Sequence, residues 1–343
     1  MHARLLTLIG LLSLAIAIAS LAARAQTPAA SQRTSASPRT PWGDPDLQGV
    51  WDYATMTPLE RPRELEKEVL TDEEAAAYER QFLERQKVGF NTAGPDWWDK
   101  VHLAGKRSSL IVDPPNGRIP PLTPEAQKRA AAAAQARRGR GPADSVEDLG
   151  LGVRCLQFPT AGPPMLPAMY NNNVHIVKTR QYVALVNEMI HDVRIVPMDG
   201  RPHGRIRQWL GDSRGHWDGT TLVVDTVNFT DNTSFRGSNV NLHLVERFTR
   251  VNENRLEYTV TVDDPTTWTR PWTFMVPWTR QSDKANQVYE STCHEGNYGM
   301  VGMLTNTRAA ERLYRQGKGR DPRMTDIATG GDTGGGIERE SNR

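Results

Sequence analysis

Three dipeptides constrain this chain more than any other feature. Asn116-Gly117, Asp199-Gly200 and Asp218-Gly219 each stand between runs that can form strands. Asn-Gly and Asp-Gly supply the positive φ values of a type I′ turn, so each predicts a β-hairpin. The paired strands would be Ser109–Pro115 with Arg118–Leu122, Val193–Met198 with Arg201–Gln208, and Leu210–Trp217 with Thr220–Phe229. A fourth hairpin joins Leu242–Val251 to Arg255–Val262 through Asn252-Glu253-Asn254. Along its second strand Leu256, Tyr258, Val260 and Val262 alternate with Arg255, Glu257, Thr259 and Thr261, the period-2 pattern of a strand with one dry face and one wet face. Val174–Lys178, Tyr182–Met189, Thr273–Arg280 and Gln287–Thr292 read as further strands.

Helices are few. Thr71-Asp-Glu-Glu74 is a capping box that opens a helix running to about Gln86, and Thr123-Pro124 places an N-cap and an N1 proline before a helix ending near Arg138. The second helix is alanine-rich with little apolar stripe and reads as a surface excursion. No βαβ alternation occurs, which excludes a doubly wound or TIM architecture. The expected fold is mainly β: an antiparallel up-and-down barrel or strongly curved sheet, lipocalin- or calycin-like, with a helical N-terminal excursion. A small barrel of this kind either fills with side chains or holds one small ligand.

The ends set the compartment. His2 and Arg4 precede an apolar run, Leu5 to Leu21, and Ala23-Arg24-Ala25 offers a small-x-small cleavage site. Residues 1–25 therefore read as a cleavable secretory signal, with the mature chain starting at Gln26. Residues 26–41 form a Ser/Thr/Pro-rich linker, 42–316 a single β-rich domain, and 317–343 a Gly/Asp/Arg-rich tail expected to be disordered. No later segment is apolar enough to cross a bilayer, so stable membrane insertion after cleavage is not expected. The chain carries 42 basic and 40 acidic residues, and two of the basic ones, Arg4 and Arg24, belong to the signal. A balanced mature chain argues against a nucleic-acid partner. The basic cluster Arg137, Arg138 and Arg140 is accounted for by its place at a helix C-terminus. The two cysteines, Cys155 and Cys293, are the number that forms one disulfide in an oxidising, periplasmic or extracellular space. They are too few for a zinc site, and no H-x-H, H-x-x-x-H or H-E-x-x-H spacing occurs, so no metal is assigned.

Gly211-Asp-Ser-Arg-Gly215 matches the G-x-S-x-G nucleophile elbow, with Asp225 and His243 following in order. That mechanism needs a strand–turn–helix in a parallel sheet, whereas Ser213 falls within a hairpin. The candidate acid–base groups are His191, Glu188, Asp225 and His294. Asp225 shares a strand face with Val223 and Val227, and burial there would raise its pKa unless a cation offsets it. Glu246, between Leu244 and Phe248, has the same pattern, and Arg194, Arg214, Arg236, Arg247 and Arg270 are available to make either carboxylate half of an ion pair. Asn187 and Asn228 are candidates to orient a substrate. Of nine tryptophans, Trp97, Trp98, Trp209, Trp217, Trp268, Trp272 and Trp278 either line an aromatic pocket or plug the barrel. Trp217, Trp268, Trp272 and Tyr298 complete the expected ligand-contacting set.

Trp42-Gly-Asp-Pro-Asp-Leu-Gln-Gly-Val-Trp51, Ser109-Leu-Ile-Val-Asp-Pro-Pro-Asn-Gly-Arg118, Gly211-Asp-Ser-Arg-Gly-His-Trp-Asp-Gly219, Val223-Val-Asp-Thr226 and Asp264-Pro-Thr-Thr-Trp-Thr-Arg-Pro-Trp272 are long motifs. Together they resemble a large, mostly uncharacterised group of exported proteins of soil bacteria, from about Pro41 to Glu311. The resemblance implies export and a single domain and carries over no catalytic residue.

The expectation is an exported, cofactor-independent enzyme working on a small apolar or aromatic compound by hydrolysis, elimination or isomerisation within a barrel pocket. The alternatives are a lipocalin-like carrier of an apolar small molecule and a cell-envelope interaction module. A titratable pair in a cavity marks the first, a dry apolar cavity the second and a filled barrel the third.

Overall fold

The computed structural model describes residues 38–89, 101–168, 170–233, 235–282 and 288–324. The proposed signal, most of the linker, Trp97 and Trp98 lie outside them, as does the tail beyond 324.

The alternating segments form ten strands of one antiparallel sheet: β1 (Gly49–Asp52), β2 (Ile111–Asp113), β3 (Asn173–Lys178), β4 (Tyr182–Asn187), β5 (Val193–Pro197), β6 (Asp212–Asp218), β7 (Thr221–Val227), β8 (His243–Asn252), β9 (Arg255–Asp263) and β10 (Trp272–Arg280). The spatial order is β5-β4-β3-β1-β10-β9-β8-β7-β6, with β2 added beside β10. The sheet curls until β5 approaches β6, nearly closing a barrel. Each neighbouring pair on this path is antiparallel, and the path has an odd number of strands, so β5 and β6 run in the same direction. No backbone hydrogen bond joins them among the described residues. Side chains seal the seam instead: a Cβ on Gly215 would lie 2.9 Å from Val196 Cγ1 and closer still to Met198 Sδ, so only glycine allows this approach.

Local chemistry set several of these elements as expected. The β6–β7 and β8–β9 hairpins form, and β3, β4 and β10 fall where the alternation placed them. In the β6–β7 hairpin Asp218 pairs with Thr221, and only Gly219 of the two loop residues takes a positive φ, 61°. The turn therefore belongs with type II′ rather than the expected I′. The helices α1 (Asp72–Gly89) and α2 (Pro124–Ala136) also form. Thr71 Oγ1 accepts from the Glu74 N–H and Glu74 Oε2 accepts from the Thr71 N–H, completing the capping box. Thr123 Oγ1 accepts from the Ala126 N–H, and Ala126 alone of α2 is buried.

Three expectations fail. Ser109–Pro115 makes no hairpin with Arg118–Leu122, because β2 pairs with β10 and Leu122 instead bridges Trp268. The Val193–Met198 strand has no partner in Arg201–Gln208, because a parallel β5 and β6 require the chain to travel back along the barrel, and residues 198–211 do so as an irregular strap. Residues 288–292 form no strand, and Gln287 lies outside the described residues. Two elements were not foreseen: the short β1 and the helix α3 (Tyr298–Arg315), which Asn297 caps by accepting from the Met300 N–H.

The core is the barrel interior. Inward rows from β7 to β10 place Leu222, Val224, Leu244, Phe248, Leu256, Tyr258, Val260, Val262, Trp272, Phe274, Val276 and Trp278 in a fully buried cluster with Trp51 and Tyr53. Tyr53, Phe248, Tyr258 and Trp278 pack ring against ring at 4.9–5.6 Å, and Trp268 meets Trp272 edge-on at 5.6 Å. The aromatic residues thus fill the barrel.

One ionic group is buried with them. Arg194 of β5 reaches across to Glu246 of β8, donating from Nη2 to Oε1 at 2.8 Å and from Nη1 to Oε2. Tyr258 donates its O–H to Glu246 Oε1 at 2.6 Å and accepts from the Met165 N–H at 3.0 Å. Glu246 is therefore the inward carboxylate of a buried ion pair, which ties the seam strand β5 to the opposite wall.

The Cys155–Cys293 disulfide forms, with Cα atoms 5.7 Å apart, and staples the segment before β3 to the chain after β10. Among the described residues no helix is long and apolar enough to cross a membrane.

Candidate functional site

Alternation along β7 decides where its chemistry lies. Leu222, Val224 and Thr226 face the core, so Val223, Asp225 and Val227 occupy the outer face. Asp225 is thus on the outside of the barrel, not in an interior pocket. Both of its oxygens are engaged: His203 Nε2 lies 2.8 Å from Oδ1 and His243 Nε2 lies 2.7 Å from Oδ2. His243 opens β8 and faces Asp263 across the β8–β9 ladder. His203 comes from the strap.

The strap is fixed over β6 and β7 by a small polar network. Gly204 N–H donates to Asp212 Oδ2 at 2.7 Å, Asn228 Nδ2 donates to the Gly204 carbonyl at 2.9 Å, and Arg214 Nε donates to the Pro202 carbonyl at 3.1 Å. His203 Nδ1 sits 3.4 Å from Asp212 Oδ2, buried and without a hydrogen bond of its own. Arg214 Nη1 in turn holds Asp212 Oδ1. Burial pushes the Asp225 carboxyl up, but the hydrogen bonds from His243 and His203 outweigh it and hold the group below the ordinary 3.8. The Asp225 contact raises His243 above 6.5 against an opposing effect of burial.

The expected acid–base residues do not converge on this carboxylate. His191 and Glu188 share the turn after β4, where Asn173 Nδ2 donates to Glu188 Oε2 at 2.7 Å. His191 Nδ1 lies 3.3 Å from the Ser291 carbonyl and its Nε2 lies 3.9 Å from Glu295 Oε1, so the disulfide-anchored segment packs beside it. His294 in that segment is exposed. Burial raises the Asp192 carboxyl next to His191. Asn187 turns inward and donates to the Ala161 carbonyl at 3.2 Å, while Asn228 serves the strap.

The expected ligand-contacting aromatics divide similarly. Trp268 and Trp272 are buried core. Trp217 packs on the Lys178 ammonium, 5.4 Å from ring centroid to Nζ, with Trp42 on another side at 5.3 Å and Asp44 Oδ2 at 2.6 Å. Tyr298 stands exposed at the start of α3. Ser213 of the G-x-S-x-G segment faces inward to the Thr226 hydroxyl at 2.9 Å, on the opposite face from Asp225 and His243, so no serine triad exists there.

Sequence reasoning missed His203. The available signal was Pro202 and Gly204 on either side of it, two residues that weaken a strand and favour an irregular segment. Among the described residues no group of three or more His, Cys, Asp or Glu side chains is placed to hold a metal ion. At Asp225 the two imidazoles take different oxygens and bridge through the carboxylate. Chemically the arrangement can share protons, bind charge or fasten the strap.

Comparison with protein-family models, with curated proteins and with solved structures gives no match to this chain.

Proposed function

We propose that this is an exported interaction module that works from the outside of a filled barrel rather than from a pocket within it. The observation that carries the reading is the interior itself: Trp51, Tyr53, Phe248, Tyr258, Phe274 and Trp278 pack it, and the Arg194–Glu246 pair spans it. The outer face of β3, β4 and β5 supports the same reading. Val177, Tyr182, Val193 and Ile195 are exposed there in adjacent strands, and Val177, Ala184 and Ile195 lie side by side in register. A patch of neighbouring apolar side chains on an exported protein is suited to a partner surface.

The test joins an interior probe to a surface variant. Titration with apolar and aromatic fluorophores is expected to give no saturable quenching of tryptophan emission, and Val193→Glu/Ile195→Glu is expected to lower association with the cell-envelope fraction while circular dichroism stays unchanged. Saturable binding inside the barrel, or envelope association indifferent to the variant, overturns the proposal.

A second reading is an acid–base enzyme acting on a small apolar or aromatic compound. It is favoured by Asp225 between two imidazoles, a carboxylate–histidine pairing that suits proton transfer. Turnover of such a compound by the wild type, lost in Asp225→Asn and His243→Gln variants that fold, supports it; unchanged turnover in those variants removes it.

A further inference from the structure

Helix α3 is long and loosely seated. Its 18 residues span about 27 Å, yet Thr307 is the buried residue among them. None of its apolar side chains belongs to a buried core cluster or packs against one, among the described residues. Polar contacts hold it to the body instead. Arg308 donates to the Ala143 and Asp144 carbonyls at 2.9 and 3.0 Å and pairs with Glu311 at 2.6 Å.

At about 100° per residue, Tyr298, Val301, Gly302, Thr305, Ala309 and Leu313 fall on the side opposite Thr307. Tyr298, Val301 and Leu313 are 83%, 56% and 49% exposed there. Thr305 Oγ1 donates to the Val301 carbonyl at 2.9 Å, so its hydroxyl is satisfied within the helix. The outward stripe is therefore largely apolar and faces solvent.

Charge says what suits this stripe. Residues 298–320 carry five basic side chains, Arg308, Arg312, Arg315, Lys318 and Arg320, against one acidic, Glu311, in a chain otherwise close to balance. Arg312, Arg315 and Lys318 are exposed and enter no ion pair among the described residues. The acidic neighbours are turned to other work: Asp144 and Glu311 meet Arg308, Asp321 holds Arg323, and Glu295 lies 3.9 Å from His191. Exposed apolar and aromatic side chains flanked by unpaired cations are the pattern of a helix that lies in a membrane interface.

We propose that α3 is such an interfacial helix, laying its outward stripe on an anionic lipid surface with Arg312, Arg315 and Lys318 against the headgroups. The helix lies on the bilayer and does not cross it. Tyr298 and Leu313 stand near opposite ends of the stripe, so the whole length of the helix makes contact. Each basic group near the surface strengthens binding about fivefold at physiological salt. The inference is independent of the β3–β5 surface, because it concerns a different face and a lipid rather than a protein.

The experiment is co-sedimentation of the processed chain, beginning at Gln26, with phosphatidylcholine vesicles and with phosphatidylcholine–phosphatidylglycerol vesicles. Binding is expected with the anionic vesicles alone, and is expected to be lost in about 1 M salt, where the screening length falls to about 3 Å. Arg312→Gln/Arg315→Gln is expected to lower partition roughly twentyfold, and Tyr298→Ser/Leu313→Ser about tenfold or more. All four positions are exposed, and circular dichroism checks that the variants fold. Hydrogen exchange of the unsubstituted chain supplies a second readout: peptides covering 298–315 are expected to gain protection on anionic vesicles while the β8–β9 hairpin does not change. Absence of binding, equal binding to both vesicle types, unchanged binding in the α3 variants or no added protection over 298–315 each overturns the proposal. Self-association without lipid that the same variants abolish also overturns it, giving the face to a second copy of the chain. Val193→Glu/Ile195→Glu is expected to leave vesicle binding intact, which keeps failure here separate from failure of the β3–β5 surface; loss of vesicle binding in that variant, with binding kept in the α3 variants, overturns the assignment to α3.

Discussion

Replacing Glu246 with leucine removes the carboxylate from the centre of the barrel and leaves Arg194 behind. Glu246 is fully buried and the Arg194 side chain is only 5% exposed, so water cannot take over the solvation of the guanidinium. Breaking a buried pair by deleting one partner costs about 3–5 kcal/mol, because the survivor is an uncompensated charge in a medium of low dielectric. Tyr258 also loses the acceptor of its O–H, which adds about 1 kcal/mol. Leucine returns a little through apolar contact, so a net destabilisation of about 4–5 kcal/mol is expected. For a domain of this size that lowers Tm by roughly 7–10 °C.

The double variant Arg194→Met/Glu246→Leu restores an apolar, volume-matched interior and is expected to recover all but about 2 kcal/mol, since a buried pair and its hydrophobic replacement are often nearly equal in stability. Urea unfolding of the wild type, both single variants and the double variant closes the thermodynamic cycle, provided the m-values stay constant. A Glu246→Leu variant within 1 kcal/mol of wild type, or a double variant no more stable than the singles, would refute the reasoning. The first result would mean that Arg194 escapes to solvent, and the second that the pair does not act as a unit.

Reducing the Cys155–Cys293 bond, or replacing both cysteines with serine, frees a loop of sequence separation 138. The chain-entropy account gives a loss of about 5 kcal/mol, measured as a fall in the urea midpoint under reducing conditions, and an unchanged midpoint contradicts it. Gly215→Ala drives a methyl group into Val196 and Met198 and is expected to cost about 1–3 kcal/mol by overpacking, with thermal unfolding as the assay. The companion Met198→Ala is expected to relieve part of that cost when combined with Gly215→Ala, and strict additivity would show that the seam is not packed as described.

Legibility differed from element to element for physical reasons. The β8–β9 hairpin could be read because alternation and turn signal lie within one short stretch and the two strands are each other's partners. The same holds for β6–β7, apart from the class of turn. β5 was placed correctly but given the wrong partner, because Asp199-Gly200 is a local signal and carries no information about the direction of a strand reached only through the whole sheet. β2 failed likewise: its partner, β10, lies far along the chain. At the candidate site, Asp225 stood out as a carboxylate in an apolar strand, yet its face was undetermined, since Leu222, Val223 and Val224 are apolar on both sides of the pleat. His203 was invisible in a segment taken for a strand.

The sequence by itself determined what is local: the alternation that makes strands, the capping box of α1 and the N-cap of α2, and the cysteine pair whose number allows one bridge. Even the choice for Glu246 was present as a short list of arginines that included Arg194. Tertiary structure alone decided three things: that an odd ring of antiparallel strands ends in a parallel seam, that the aromatic residues fill the barrel, and that the Asp225 carboxylate meets two histidines outside it. Each depends on which face or edge a strand presents once the sheet curls, a property of the closed arrangement that no single strand encodes.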